Sequence, residues 1–305
     1  MFSSPIWLPA TLVAGALQAW RTAVQRRVSE SLSLNGAGLV RYLYGMPFMT
    51  ALLALYLVVF PTPWPRLNAD FLLFCGAGGL AQIIATNLLI SAFRYRNFVV
   101  GTAYSKTEAA QGAVLSFFLL GETLPPLSWA GIACGVAGVM LLSTGGRKLG
   151  LWDFVRALGQ PAAVTGIASG FFFALTAIGI RRATQGVDTD TPVFAALIVL
   201  AVTVPLQTMM QGGWLLWREP AEMRRVLSSW RVSGQVGLLS ALGSACWFTG
   251  FATAPVALVR IVGQVEVAFT MAFGHFYLCE TMRRSELAGL ILVAAGVILA
   301  LAGTL

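Results

Sequence analysis

Charge is scarce in this sequence. Of its 305 residues only 10% are Asp, Glu, Lys or Arg, whereas ordinary soluble domains carry about 25%. That shortage argues against a soluble globular domain. Histidine occurs once, at His275, and Cys75, Cys134, Cys246 and Cys279 are isolated, with no C-x-x-C pair among them. No metal site or disulfide framework is expected, and the cysteines read as small buried apolar side chains. His275 reads as a packed or hydrogen-bonded histidine rather than a proton relay. No G-x-x-x-x-G-K-[ST] segment is present, so no ATP site and no cofactor are implied. The first 20 residues hold no Lys or Arg, so a cleavable signal with a basic start is not expected and the first apolar run reads as a retained span.

What the sequence has in quantity is apolar side chains, 57% of the total, and 32 glycines, a residue favoured in membrane helices. This is the composition of a multi-pass membrane protein. The net charge of +8 does not point to nucleic acid, because most basic residues fall in the short gaps between apolar runs. A spanning helix needs about 20 apolar residues. Ten runs qualify: 6–25, 38–60, 70–93, 98–120, 127–144, 161–180, 191–211, 233–253, 256–278 and 286–304. The polar stretch Trp217–Arg231 reads either as a short surface helix, with Arg on one face and Trp and Leu on the other, or as a solvated loop.

The chain also repeats itself. At an offset of 158 residues Glu108 falls on Glu266, Glu122-Thr123 on Glu280-Thr281, Gly131 on Gly289, and Ala137-Gly138-Val139 on Ala295-Gly296-Val297. In a chain so poor in charge, coincident glutamates are hard to attribute to composition. The expected architecture is an all-α membrane protein of ten transmembrane helices, built as two five-helix repeats: residues 1–146, a linker at 147–160, and residues 161–305. An odd number of spans inverts the second copy, and the pair would surround a central cavity. Thirteen Arg and Lys residues fall in odd-numbered gaps, against Arg66, Arg181 and Arg182 in even ones. The positive-inside rule then puts both termini outside.

The segments Thr107–Thr123, "TEAAQGAVLSFFLLGET", and Val265–Thr281, "VEVAFTMAFGHFYLCET", resemble the closing segment of each repeat in EamA-type permeases of the drug/metabolite transporter superfamily. The resemblance covers essentially the whole chain. It implies a basket of helices around a cavity, transport of small organic solutes by alternating access, and cytoplasmic termini, against the charge count. Two departures stand out. The family's usual proline after the mid-span glutamate is Ala109 in one copy and Val267 in the other, and Cys279 replaces the usual glycine. Both predict straighter fourth and ninth helices.

An ionisable group within a span is a functional candidate by default. Glu108 and Glu266 lie near the middle of the fourth and ninth spans, with Lys106 and its counterpart Gln264 two residues before them and Arg260 nearby. Arg41, Tyr44, Gln18, Trp20 and Arg21 complete the candidate substrate contacts, on the first two spans. Residues two apart on a helix differ by about 200°, so Lys106 and Glu108 would not share a cavity face. Two arrangements stay open. Either Lys106, Arg260 and Gln264 face the cavity while the glutamates pair with Arg41, Arg21 or backbone between helices, or the glutamates line the cavity and bind a cation or a proton. Glu122 and Glu280 read as caps or loop anchors.

The expected function is secondary transport of a small polar metabolite across a bacterial-type inner membrane, the solute being an amino acid or another zwitterion or anion. Proton coupling through Glu108 or Glu266 is the candidate energy source. The expected partners are the solute and the bilayer, with no nucleic acid. A non-transporting scaffold or sensor is the alternative, and an enzyme acting on lipid a weaker one, since no nucleophile, base or metal constellation supports it.

Overall fold

The computed structural model describes residues 5–92, 104–143, 159–278 and 284–303. They form helices joined by short turns: α1 (Trp7–Ser29), α2 (Leu34–Leu43), α3 (Gly45–Val59), α4 (Phe71–Ala92), α5 (Glu108–Leu120), α6 (Pro126–Ser143), α7 (Pro161–Gln185), α8 (Pro192–Arg218), α9 (Pro220–Ser228), α10 (Trp230–Thr253), α11 (Val256–Gly263), α12 (Glu266–Leu278) and α13 (Arg284–Ala302). Every predicted apolar run holds helix over all or part of its length. Among the described residues, five helices are long and apolar enough to cross a membrane: Leu34–Val59, Phe71–Ser91, Pro161–Gln185, Pro192–Arg218 and Trp230–Thr253. Arg94, Arg96, Arg147, Lys148, Arg156, Cys279, Glu280 and Arg283 lie outside the described residues.

The chain divides into two compact units, residues 1–83 with 176–254 and residues 84–175 with 255–305. Each therefore draws on both sequence copies. Spatial compactness follows which helices pack together, and these come from different copies.

In the first unit α8 is central. Phe194, Ile198 and Leu200 are fully buried there, and α2, α3 and α10 pack on it. The second predicted span bends at Tyr44, between α2 and α3. Pro47 lies three residues further on and has no N–H to return to the Leu43 carbonyl, which accounts for the interruption. Gly237 on α10 meets this bend so closely that a Cβ would collide with the Tyr44 carbonyl carbon and oxygen.

Loops meet at both ends of this unit. At one end Arg66-Leu67 (β1) pairs antiparallel with Val187-Asp188 (β2), joining the second gap to the sixth. At the other, Glu222 accepts from the Ser33 N–H, and Glu219 accepts from the Ser33 hydroxyl at 3.0 Å and the Asn35 amide at 3.3 Å, joining the seventh gap to the first. Of the two forms open to Trp217–Arg231, the helical one is found, as α9. Its packed face differs from expectation: Glu222, Met223 and Val226 turn inward, while Trp217, Leu227 and Trp230 are exposed. The polar inward face follows from the bonds Glu222 makes. The two tryptophans lie under Arg218 and Arg231, with ring-to-guanidinium distances of 4.1 and 5.5 Å. Aromatic and cationic side chains in that combination suit a membrane–water boundary.

In the second unit α11 is buried along its whole length, packed by α5, α6 and α13. α6 and α13 cross antiparallel on small residues. A Cβ on Gly131 would lie 2.6 Å from the Gly296 carbonyl, and one on Gly138 2.8 Å from the Gly289 carbonyl. These two contacts exchange under the 158-residue offset, and the Cys134 thiol bonds the carbonyl of its own counterpart, Leu292, at 3.4 Å. The small-residue stripe lets the backbones approach without a side chain between them.

Candidate functional site

The missing prolines predict straighter fourth and ninth helices, yet both stretches are interrupted. Lys106-Thr107 forms a turn before α5, and Gln264-Val265 a turn between α11 and α12. The two turns share two equivalent bonds. Thr107 N–H donates to the Tyr104 carbonyl at 3.2 Å, as Val265 N–H does to Val262 at 3.1 Å; Gln111 N–H donates to Thr107 at 3.0 Å, as Phe269 N–H does to Val265 at 3.2 Å. Each is a three-residue step inside a helical stretch, of the kind often found at functional hinges. Such tightening needs no proline, so the family's missing proline predicts nothing about it. Gly170 on α7 accommodates the first turn: a Cβ there would stand 2.9 Å from the Ser105 carbonyl.

The consequence is that Glu108 and Glu266 are each the first residue of a helix, α5 and α12. The positive end of the helix dipole complements their charge. Their partners are cations of the opposite copy. Lys106 Nζ donates to Glu266 Oε2 at 3.0 Å, with the two side chains 19% and 11% exposed. Arg260 Nη1 lies 3.4 Å from Glu108 Oε1, and these side chains are 8% and 16% exposed. Lys106 is attracted by both glutamates and repelled by Arg260, so the four charges form one cluster. It is electrically neutral and lies within the second unit.

The two pairs differ in quality. Charge-assisted bonds run at about 2.7–2.9 Å, so the Lys106–Glu266 contact is near ideal and the Arg260–Glu108 contact is loose. Arg260 makes its shorter bond, 2.8 Å, to the Phe173 carbonyl. Glu108 is therefore the less firmly held carboxylate of the cluster.

The arrangement that pairs the glutamates with Arg41, Arg21 or backbone needs revision. The glutamates are not separated from Lys106 and Arg260 on opposite faces; they bind them. A 200° separation of Lys106 and Glu108 holds only for a continuous helix through residue 106. Arg260 and Gln264 also part company. Arg260 reaches towards α5 and α7, while the Gln264 amide lies where a Cβ on Gly135 of α6 would stand 2.6 Å from its Oε1. Among the described residues neither polar atom of Gln264 has a hydrogen-bond partner, although the residue is only 4% exposed.

The remaining candidates belong to the first unit. Gln18 accepts from Trp247 Nε1 at 3.0 Å. The Tyr44 hydroxyl donates to the Val226 and Leu227 carbonyls at 3.0 and 3.1 Å, which ties the α2–α3 bend to the end of α9. Trp20 is half exposed, and Arg21 and Arg41 are buried. The His275 side chain lies outside the described residues.

Glu122 behaves as a loop anchor. Its Oε2 accepts from the Val256 N–H at 3.0 Å, capping the start of α11 from the loop beyond α5. That loop leaves α5 through Gly121, whose φ of +67° is one a glycine adopts without strain. Loss of a cap costs about 1 kcal/mol. Glu122→Ala should lower the thermal midpoint by about 2 °C, from the entropy expected of a chain this long. An unchanged midpoint would deny the cap any role. Sequence inspection passed over Gly170, Gly135 and the Phe173 carbonyl. The first two carried no signal beyond being glycines in apolar runs, and a backbone acceptor carries none.

The comparisons with known proteins accord with this architecture. Among 29 matching chains of solved structures, one described only as "Crystal structure of protein" is 16% identical. It has a TM-score of 0.67 over 96% of each chain, a likeness of fold. No curated protein matches the sequence. The model of the EamA-like transporter family matches twice, over residues 5–144 and 160–302. With that double match over nearly its whole length, the chain belongs to the EamA-like transporter family, multi-pass membrane transporters of the drug/metabolite type.

Proposed function

We propose that the protein is a secondary transporter that moves a small polar organic metabolite, an amino acid or another zwitterionic or anionic solute, across the inner membrane by alternating access. The observation that carries this is the neutral cluster of Lys106, Glu108, Arg260 and Glu266 at two matched helix interruptions. A zwitterion brings one charge of each sign. Its ammonium group would compete for Glu108, the loosely held carboxylate, and its carboxylate for the cation released. Exchange of internal partners for solute partners keeps every charge compensated, which an apolar interior demands. Interrupted helices at the binding site are a recurring transporter device.

The accompanying architecture is ten spans in two inverted repeats, 1–146 and 161–305, around a central cavity. Three observations support it: the second gap meets the sixth, the seventh meets the first, and α6 packs antiparallel on α13 with contacts that exchange under the repeat offset. An even number of crossings between joined gaps is what ten spans require.

Flux into proteoliposomes tests the proposal. Zwitterionic amino acids and organic monoanions should exchange, and Lys106→Met or Glu266→Gln should cut the rate by about a hundredfold, as misplacement of a binding group does. If a proton is carried by a glutamate, Glu108→Gln should also abolish the pH dependence of the residual flux. Full flux in Glu266→Gln would deny that glutamate a place in the site, and no flux of any solute in the natural chain would fit a scaffold better than a transporter.

A further inference from the structure

Two like pairs of residues frame α9. Trp217 and Arg218 end α8, and Trp230 and Arg231 begin α10. Both flanking helices are long and apolar enough to span a membrane, and they pack on each other. Joined only by the short α9, they bring both pairs to one end of the first unit. In each pair the guanidinium lies over the indole, at 4.1 and 5.5 Å. A stacked guanidinium spends its face on the ring and keeps its N–H edge for an acceptor. The two indoles are 71% and 60% exposed, a position that suits the headgroup level of a bilayer.

The charge left at this surface has one sign. Both carboxylates of the stretch turn inward: Glu219 accepts from Ser33 and Asn35, and Glu222 from the Ser33 N–H and from Arg225 Nη1. Arg225 is committed in turn, with Nη2 on the Ser31 carbonyl at 2.8 Å. At the adjoining end of α1, exposed Arg27 and Glu30 cancel. Arg218, Arg224 and Arg231 are exposed, and among the described residues none of the three makes a hydrogen bond or an ion pair.

We propose that the two tryptophan–arginine pairs, with Arg224 between them, form a binding site for anionic phospholipid. The headgroup phosphate takes the free guanidinium edges, and the indoles lie beside the glycerol region. Leu216, exposed on the last turn of α8, continues the contact into the acyl layer. Basic side chains placed where a span ends are the common signature of such lipids. A free phosphate would use the arginines and leave the indoles bare. An acidic soluble partner would not reach Leu216 on the spanning helix.

Native mass spectrometry of the delipidated full chain, titrated with phosphatidylglycerol, phosphatidylcholine and inorganic phosphate, tests it. Phosphatidylglycerol should saturate the protein at a concentration at least about tenfold below phosphatidylcholine. Each basic side chain at an anionic surface is worth about fivefold in affinity. Arg218→Gln/Arg224→Gln/Arg231→Gln, all surface changes, should therefore weaken phosphatidylglycerol about a hundredfold and abolish the preference. Arg66→Gln, at the other end of the unit, should retain it. Equal affinity for the two lipids, an unchanged affinity in the triple variant, or loss of the preference in Arg66→Gln would overturn the proposal. So would displacement of phosphatidylglycerol by inorganic phosphate, which would make the occupant a free anion.

Discussion

Glu266→Gln should lower the thermal midpoint of the purified protein by about 6 °C, from roughly 3 kcal/mol of lost stability at about 2 °C per kcal/mol for a chain of this size. The loss comes from breaking the Lys106–Glu266 pair, whose side chains are 19% and 11% exposed. Forming such a pair from hydrated ions gains little net, because desolvation nearly cancels the attraction. Removing one member is another matter, since it leaves Lys106 charged among apolar helices. Glu108→Gln should cost clearly less. Its bond to Arg260 is 3.4 Å, and Arg260 keeps the Phe173 carbonyl at 2.8 Å. Lys106→Met/Glu266→Met should recover most of the loss, because no charge is then stranded. Equal losses in the two single variants would contradict the difference between the pairs.

The second large effect concerns packing. Gly296→Ala should destabilise by about 2 kcal/mol, within the 1–3 kcal/mol typical of overpacked interiors. The new methyl would stand 2.5 Å from the Gly135 backbone nitrogen and 2.7 Å from the Gly131 carbonyl. Backbone atoms of a neighbouring helix cannot rotate away. Gly213→Ala in α8 is the control, since none of the described residues lies within 4 Å of its added Cβ. There alanine's better helix propensity should stabilise by up to about 1 kcal/mol. Thermal midpoints of both variants check the pair of signs. A neutral Gly296→Ala would mean that α6 and α13 do not rest on one another as described.

Much of this fold was legible in the sequence, for identifiable reasons. Glu108 and Glu266 stood out because charges are rare, and the offset that relates them also carried the glycines of α6 and α13. What lay hidden was local. The turns at Lys106-Thr107 and Gln264-Val265 contain no glycine or proline, and a three-residue step leaves no compositional mark. The residues around them were therefore assigned to helix faces that do not exist. The difference between the two glutamate pairs was equally invisible, because it arises from a backbone carbonyl, at Phe173, that competes for Arg260. Nor could the compact units be read from the repeat, since they are assembled from helices of both copies. Gln18 and Tyr44 were found for their polarity alone. Their indole and backbone partners come from α10 and from the end of α9, far along the chain.

The crossing of the two ion pairs between copies has a consequence in time. Glu266 follows Lys106 by 160 residues, and Arg260 follows Glu108 by 152. At about 5–20 residues per second of synthesis, each waits about 8 to 30 s for its partner to be made. Throughout that interval the first copy holds Lys106 and Glu108 with neither of their final counter-charges. The fourth helix must either delay its entry into the bilayer or be sheltered there until the ninth arrives. The newborn half-protein is thus the form most exposed to quality control, and substitutions that leave the finished transporter intact can still lower its yield.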